Sequence, residues 1–70
     1  MFITVPMLCR VSGYTFPAVA KVVAKDRAAA EVIAETSAKL DGVQTVTFPR
    51  SIRDLPLSQR DFFESHGVAI

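Results

Sequence analysis

Alternating apolar residues through the first 24 positions predict a β-hairpin. Residues 2–11 and 14–24 have the pattern of strands, and Ser12-Gly13 is a two-residue connection of the kind that closes a tight hairpin. Such a turn pairs Val11 with Tyr14 and places apolar residues opposite one another on one face, as cross-strand packing requires. The further pairs predicted on this face are Ile3 with Val22, Val5 with Ala20, Met7 with Ala18, and Cys9 with Phe16.

The other face of the predicted hairpin is also largely apolar. Phe2 falls opposite Val23, and Pro6 opposite Val19, whereas the solvated face of an antiparallel sheet is normally polar. Pro6 and Pro17 cannot donate a ladder hydrogen bond, so each must face a sheet edge or mark a bulge. This second face therefore needs a cover.

The segment Asp26–Asp41 has the pattern of a helix. Asp26 suits the N-cap and Gly42 the left-handed position after the last turn. Charged residues recur every four positions and predict a solvated stripe formed by Arg27, Glu31, Glu35 and Lys39. On the opposite side of the helix, the pattern predicts a narrow face that packs in the core, formed by Ala29, Ala30, Ile33, Ser37 and Leu40.

The remainder of the chain predicts a third strand over residues 43–48, a loop over 49–56 and a short helix that Gly67 ends. Ser58 is the expected N-cap of this helix, with Leu57 packing against Phe62. The predicted fold is α+β in a single domain, residues 1–70. It is a small antiparallel sheet, made of the hairpin and a third strand, packed by one alanine-rich helix, with a short C-terminal helix.

Composition narrows the function classes. With 70 residues, one cysteine and one histidine, the chain offers neither an internal disulfide nor the four ligands of a structural zinc site. No run of about 18 apolar residues predicts a membrane span, and no basic, then apolar leader is present. We therefore expect a cytoplasmic protein with no membrane contact. A chain this short buries only about 60% of its unfolded surface, which favours an assisting partner.

No catalytic, cofactor-binding or metal-ligating residue is predicted. Cys9 lies on the apolar face of the hairpin, where a thiol acts as a small hydrophobe. His66 falls in the last turn of the terminal helix without an acidic partner positioned to orient it. Glu31 and Glu35 share the stripe predicted to be solvated, which does not separate their pKa values as acid–base catalysis requires. The chain is expected not to be an enzyme.

Arginines after the third strand suggest a charged contact surface. Arg50, Arg53 and Arg60 lie within 11 residues, in a region where loops commonly carry function. They could meet an acidic protein or single-stranded nucleic acid. A formal net charge of only +1 disfavours nucleic acid as the partner, because nucleic-acid-binding domains carry a marked basic excess.

The predicted partner-binding residues combine these arginines with the second face of the hairpin. They are Arg50, Arg53, Arg60, Phe2, Leu8 and Val19. Two covers for the apolar part stay open: Phe62, Phe63 and Ile70 of the same chain, or a second copy. A homodimer is expected to pack face to face, because Pro6 and Pro17 oppose edge-to-edge pairing.

The predicted hairpin, helix and third strand lie in the sequences CRVSGYTFPAVAKVVA, KDRAAAEVIAETSAKL and VQTVTF. This order resembles the ββαβ arrangement of small phage-encoded inhibitor proteins, among them some anti-CRISPR proteins. The resemblance spans roughly residues 8–48 and includes no diagnostic motif. It implies a protein without an enzymatic site that covers a surface of a larger host complex. The alternatives from the residues themselves are an antitoxin-like or regulatory dimeric partner and a small nucleic-acid-binding protein.

Overall fold

The hairpin is the frame of the computed structural model, which describes residues 1–68. Strand β1 spans Phe2–Val11 and β2 spans Tyr14–Val23, and they pair antiparallel in the predicted register throughout. Ser12 and Gly13 have φ values of 52° and 79°. Two successive positive φ values are typical of a type I′ turn, whose twist matches that of the strands it joins. The turn thus fixes the register of every later pair.

Both prolines of the hairpin face sheet edges, one of the two arrangements predicted. The amide of Ala24 donates to the carbonyl of Met1 at 3.0 Å, so the hydrogen-bonded pairs are those of odd-numbered β1 residues. Pro6 and Pro17 lie in the intervening pairs, and their nitrogens point away from the partner strand. Neither interrupts the ladder.

Strand β1 lies in the centre of a three-stranded sheet with the order β2-β1-β3. Strand β3 is shorter than predicted: it covers Thr45–Thr47 and pairs antiparallel with residues 8–10 of β1. Pro6 lies beyond its end. Phe48 follows the strand and packs against the same core as Val46.

Helix α1 spans Arg27–Leu40, and its ends agree with prediction. The carboxylate of Asp26 caps it by accepting from the amide of Ala29 at 2.8 Å. Gly42 follows with φ 101°, and the amide of Val43 donates to the carbonyl of Ala38 at 3.1 Å. This is the bonding of a Schellman motif, which returns Val43 to the core next to the helix it ends.

The predicted core face of α1 was wrong by about a quarter of a turn. The buried residues are Ala30, Ala34 and Ala38, while Ile33 is 45% exposed. The Glu31 side chain, expected in solvent, is only 15% exposed. Small alanines allow the helix to approach the strands closely, and this gain outweighs keeping that carboxylate fully hydrated.

Helix α2 spans Leu57–Ser65 and begins two residues earlier than an N-cap at Ser58 would allow. Pro56 occupies the N-cap position and no side chain caps the helix, so the prediction for Ser58 was wrong: it lies in the first turn. Leu57 is exposed, at the helix start rather than before it. Gly67 ends the helix with φ 75°, as predicted, and the amide of Val68 donates to the carbonyl of Phe63 at 3.0 Å.

The two helices build separate cores on opposite faces of the sheet. The first core joins α1 to the face of the hairpin predicted to be buried; its buried residues are Val5, Met7, Cys9, Ala30 and Ala34. The second core joins α2 and the preceding loop to the other face; its buried residues are Ile52, Phe63 and Val68, with Leu8, Val19, Leu55 and Phe62 packed around them. Residues 49–51 link the two faces.

Candidate interaction surface

The middle of the second hairpin face is covered by the same chain. Phe63 is fully buried, and Leu8 and Val19 pack against its cluster. Phe62 packs at the margin, and its ring meets that of Phe63 edge to face with centroids 5.7 Å apart. The sequence allowed two covers for this face, the same chain or a second copy. Over Leu8 and Val19 the cover is the same chain. Ile70, the third expected contributor, lies outside the described residues.

One end of the second face stays uncovered. Phe2 is 82% exposed and its cross-strand neighbour Val23 is 62% exposed. Met1 precedes Phe2 and is also exposed, and its carbonyl accepts the last bond of the ladder, from the amide of Ala24. We refer to Phe2 and Val23 as the apolar patch. It differs from the predicted partner-binding set, because Leu8 and Val19 are half-buried under α2 and only Phe2 presents a free apolar side chain.

Polar residues border the apolar patch along the strands. Thr4 and Lys21 form the next cross-strand pair on the same face, and both are exposed. Lys25 is exposed two residues after Val23. An apolar centre with a polar rim is the usual anatomy of a protein–protein interface.

The three arginines have different surroundings. The guanidinium of Arg50 lies 3.7 Å from the carboxylate of Glu31, which also lies 3.4 Å from Arg27. This carboxylate oxygen accepts no hydrogen bond in the described part of the chain, so the pairs are purely ionic. Arg53 is exposed on the loop and Arg60 is half-buried on α2, and within residues 1–68 neither forms an ion pair.

Cys9 is buried in the first core, as predicted. In the sheet, Cys9 pairs with Phe16 of β2 and with Val46 of β3. Burial raises the pKa of the thiol, because the charged thiolate loses its hydration there. A thiol kept neutral in this way is a poor nucleophile and packs as a small apolar group.

His66 is exposed at the end of α2, where the sequence placed it. Its Nδ1 lies 2.8 Å from the carbonyl oxygen of Phe62, a distance at which the ring donates from a protonated Nδ1. The ring also lies against that of Phe62, with centroids 4.3 Å apart. These contacts use the imidazole to close the helix end and to shield one side of the second core.

Sequence reasoning missed an open groove between α1 and β2. This cavity of about 560 Å³ is bounded by Phe16, Ala18, Ala20 and Val22 on the strand and by Ile33 and Ser37 on the helix. It was missed because Ile33 was assigned to the core face of α1. One feature of the sequence did indicate the groove. Every even position of β2 is apolar, and a narrow helix face cannot cover the whole row.

Across residues 1–68, no helix has the length and apolar character to cross a bilayer, and no three potential metal ligands converge. Comparison of the chain with protein-family models, curated proteins and solved structures found no match.

Proposed function

We propose that this chain is a non-enzymatic protein-interaction module: an inhibitor encoded by a phage or mobile element that acts in the cytoplasm by covering a site on a larger host complex. The observation that carries the proposal is the apolar patch. Phe2 and Val23 project side by side at the end of the hairpin away from the turn, and they are left bare although α2 covers the middle of the same face.

The size of the patch side chains supports a binding role. Burying one large apolar side chain contributes about 1.5–3 kcal/mol, and aromatic anchors surrounded by polar residues are frequent hot spots of protein interfaces. The backbone beneath Phe2 is already ordered by its pairing with Val23. Binding through this patch therefore costs little conformational entropy in the strands.

Charge supports an acidic partner surface. Lys21 and Lys25 lie next to the apolar patch, and Arg53 is exposed. Arg50, although predicted as a partner contact, is partly neutralised by Glu31. Basic residues around an apolar anchor would speed association with an acidic surface more than they would strengthen the final complex.

The test is capture of host proteins by the purified chain, with wild type compared to two single variants. Phe2→Asp places a charge in the apolar patch, whereas Val32→Asp places the same charge on another exposed apolar residue, on α1. We expect wild type and Val32→Asp to retain a multiprotein host complex and Phe2→Asp to lose it. Circular dichroism should confirm that all three are folded.

Other outcomes would contradict the proposal. Equal capture by Phe2→Asp would show that the apolar patch is not the binding surface. Loss of all partners after nuclease treatment would favour a nucleic-acid-binding protein. Capture of a single small toxin would favour an antitoxin-like role.

A further inference from the structure

The first core is left open along strand β2. The β2 residues that face α1 are Tyr14, Phe16, Ala18, Ala20 and Val22. None of them is fully buried, because α1 packs its alanine stripe mainly over β1. On the helix, Ile33 lines this side and is 45% exposed. The result is the groove described above. Its lining is mainly apolar but includes Lys21, Ser37 and Asp41, and its outer side is the free edge of the sheet.

The backbone of β2 is also unpaired along that outer edge. In the hairpin ladder, the even-numbered residues of β2 bond to β1. The odd-numbered residues from Thr15 to Val23 therefore direct their backbone groups outward, with Pro17 as the one residue among them that has no N–H. A ten-residue edge strand of this kind is a template for another strand.

We propose that a second copy of the chain fills the groove by pairing its β2 antiparallel with this β2, about a two-fold axis at Val19. The strand that completes the groove must present apolar side chains at every second position toward α1. Strand β2 itself has this pattern at each of its even positions. The inference is independent of the proposed host partner, because the apolar patch lies on the opposite face of the sheet.

The position of the axis follows from matching the unpaired backbone groups. Centred on Val19, the register pairs Thr15 with Val23 and Pro17 with Lys21 of the other copy. The pairs that contain Pro17 exchange one hydrogen bond instead of two, and the others keep both. A centre on Lys21 would instead oppose two ammonium groups, and a centre on Pro17 would place two residues without donors opposite each other. Shifts in either direction also shorten the paired stretch.

Side-chain size fits the same register. On the α1 face, Phe16 falls opposite Val22 of the other copy and Ala18 opposite Ala20, so large residues flank a centre of small ones. Strands in a sheet are about 4.8 Å apart, which separates the two β1 strands by roughly 14 Å. Helices in direct contact lie about 8–10 Å apart. The two α1 helices therefore do not clash, and the Ile33 side chains of both copies occupy the space above the alanines.

This arrangement differs from the face-to-face dimer expected from the sequence. That expectation rested on Pro6 and Pro17. In the structure Pro6 lies in the central strand and takes no part in the outer edge of β2. Pro17 removes a single donor from an otherwise free edge, which weakens pairing there without preventing it.

Amide hydrogen exchange of the full chain, measured by NMR at low and high protein concentration, tests the pairing directly. The amides of Val19 and Lys21 point outward, and those of Ala18 and Ala20 bond to β1. Where dimer forms, we expect the outward amides to gain at least about 10-fold protection with rising concentration, while the inward ones are protected throughout. Outward amides that exchange freely in a dimeric sample would overturn the register and favour face-to-face packing.

Light scattering of matched variants tests the groove. Ile33→Lys places an ammonium group over Ala18 and Ala20, whereas Val32→Lys places it on the solvent side of the same helix. We expect wild type and Val32→Lys to show twice the monomer mass at high concentration and Ile33→Lys to stay monomeric. At low concentration, where all three are monomers, Ile33→Lys should have the thermal midpoint of wild type. A monomeric wild type at millimolar concentration, or a dimeric Ile33→Lys, would overturn the proposal.

Discussion

The two cores of this chain bury opposite faces of one hairpin in different ways. The first is built from small residues: Ala30, Ala34 and Ala38 hold α1 close to β1. The second is built around one large residue, Phe63, which is fully buried although α2 is shorter than α1. A shorter helix therefore closes over the middle of its face, while the longer one leaves a groove.

The difference shows that helix length does not decide how much of a sheet a helix covers. A helix that packs through alanines can lie close to the strands. It covers only a narrow width of the sheet, because a methyl group is too short to fill the space over the next strand. A phenylalanine reaches both strands of the hairpin, since Leu8 and Val19 pack in its cluster from β1 and β2 respectively. The open groove is thus a consequence of the close approach of α1.

The largest expected effect is the loss of the second core. Phe63→Ala removes the central side chain of that cluster, and such truncations cost about 3–5 kcal/mol. That approaches the lower end of the total stability of a small domain, so we expect the variant to be largely unfolded at 25 °C by circular dichroism. Leu57→Ala, on the exposed side of the same helix, is the control and should change the urea midpoint little. A stable Phe63→Ala would show that the first core folds alone.

Overpacking the first core should have an intermediate effect. Ala34→Leu inserts a branched side chain at a buried position of the first core, and overpacking typically costs about 1–3 kcal/mol. We expect a lower midpoint of urea unfolding than for Ala28→Leu, which adds the same group at an exposed position of α1. Equal midpoints would mean that α1 can shift toward the groove and accommodate the larger residue.

The smallest expected effect concerns Cys9. Cys9→Ala should cost about 1 kcal/mol, or modestly more, through lost burial, and the binding of partners should persist. If Cys9→Ser abolished function at an unchanged thermal midpoint, a structural role would be wrong.

The thiol also gives this core a pH dependence. Its pKa is raised in the folded chain, so the folded state holds the proton more tightly than the unfolded state does. The resulting stability is present below the ordinary thiol pKa of about 8.5 and is lost as pH rises through the folded value. Wild type should therefore lose more stability than Cys9→Ala between pH 8 and pH 10 in urea titrations.

The sequence was sufficient for the hairpin because a two-residue turn leaves one register, and any slip would move Cys9 and Phe16 to the other face. It was insufficient for the orientation of α1. Alanine has little preference for either side of a helix, so the charged residues decided the prediction, and Glu31 then proved to be mostly buried between Arg27 and Arg50.

The surface was predictable only in part, for a similar reason. Phe2, Leu8 and Val19 have the same pattern along the hairpin, and nothing local distinguishes the residues that a distant helix will cover. The position of α2 over Leu8 and Val19 depends on a loop that crosses from one face to the other at residues 49–51, and loop paths of this kind are not encoded by periodicity.

Strand β1 supplies alternate residues to both cores, and this imposes an order on folding. Its pairing with β2 closes only a two-residue loop. The pairing of Leu8 with Thr47 of β3 instead closes a long loop that contains β2 and all of α1. Hairpins of this kind close in about 1–10 μs, ahead of contacts that must close long loops. We therefore expect the hairpin to form first and the two helices to dock on it later, from opposite sides. Docking of the helices, rather than formation of the turn, should then limit the folding rate.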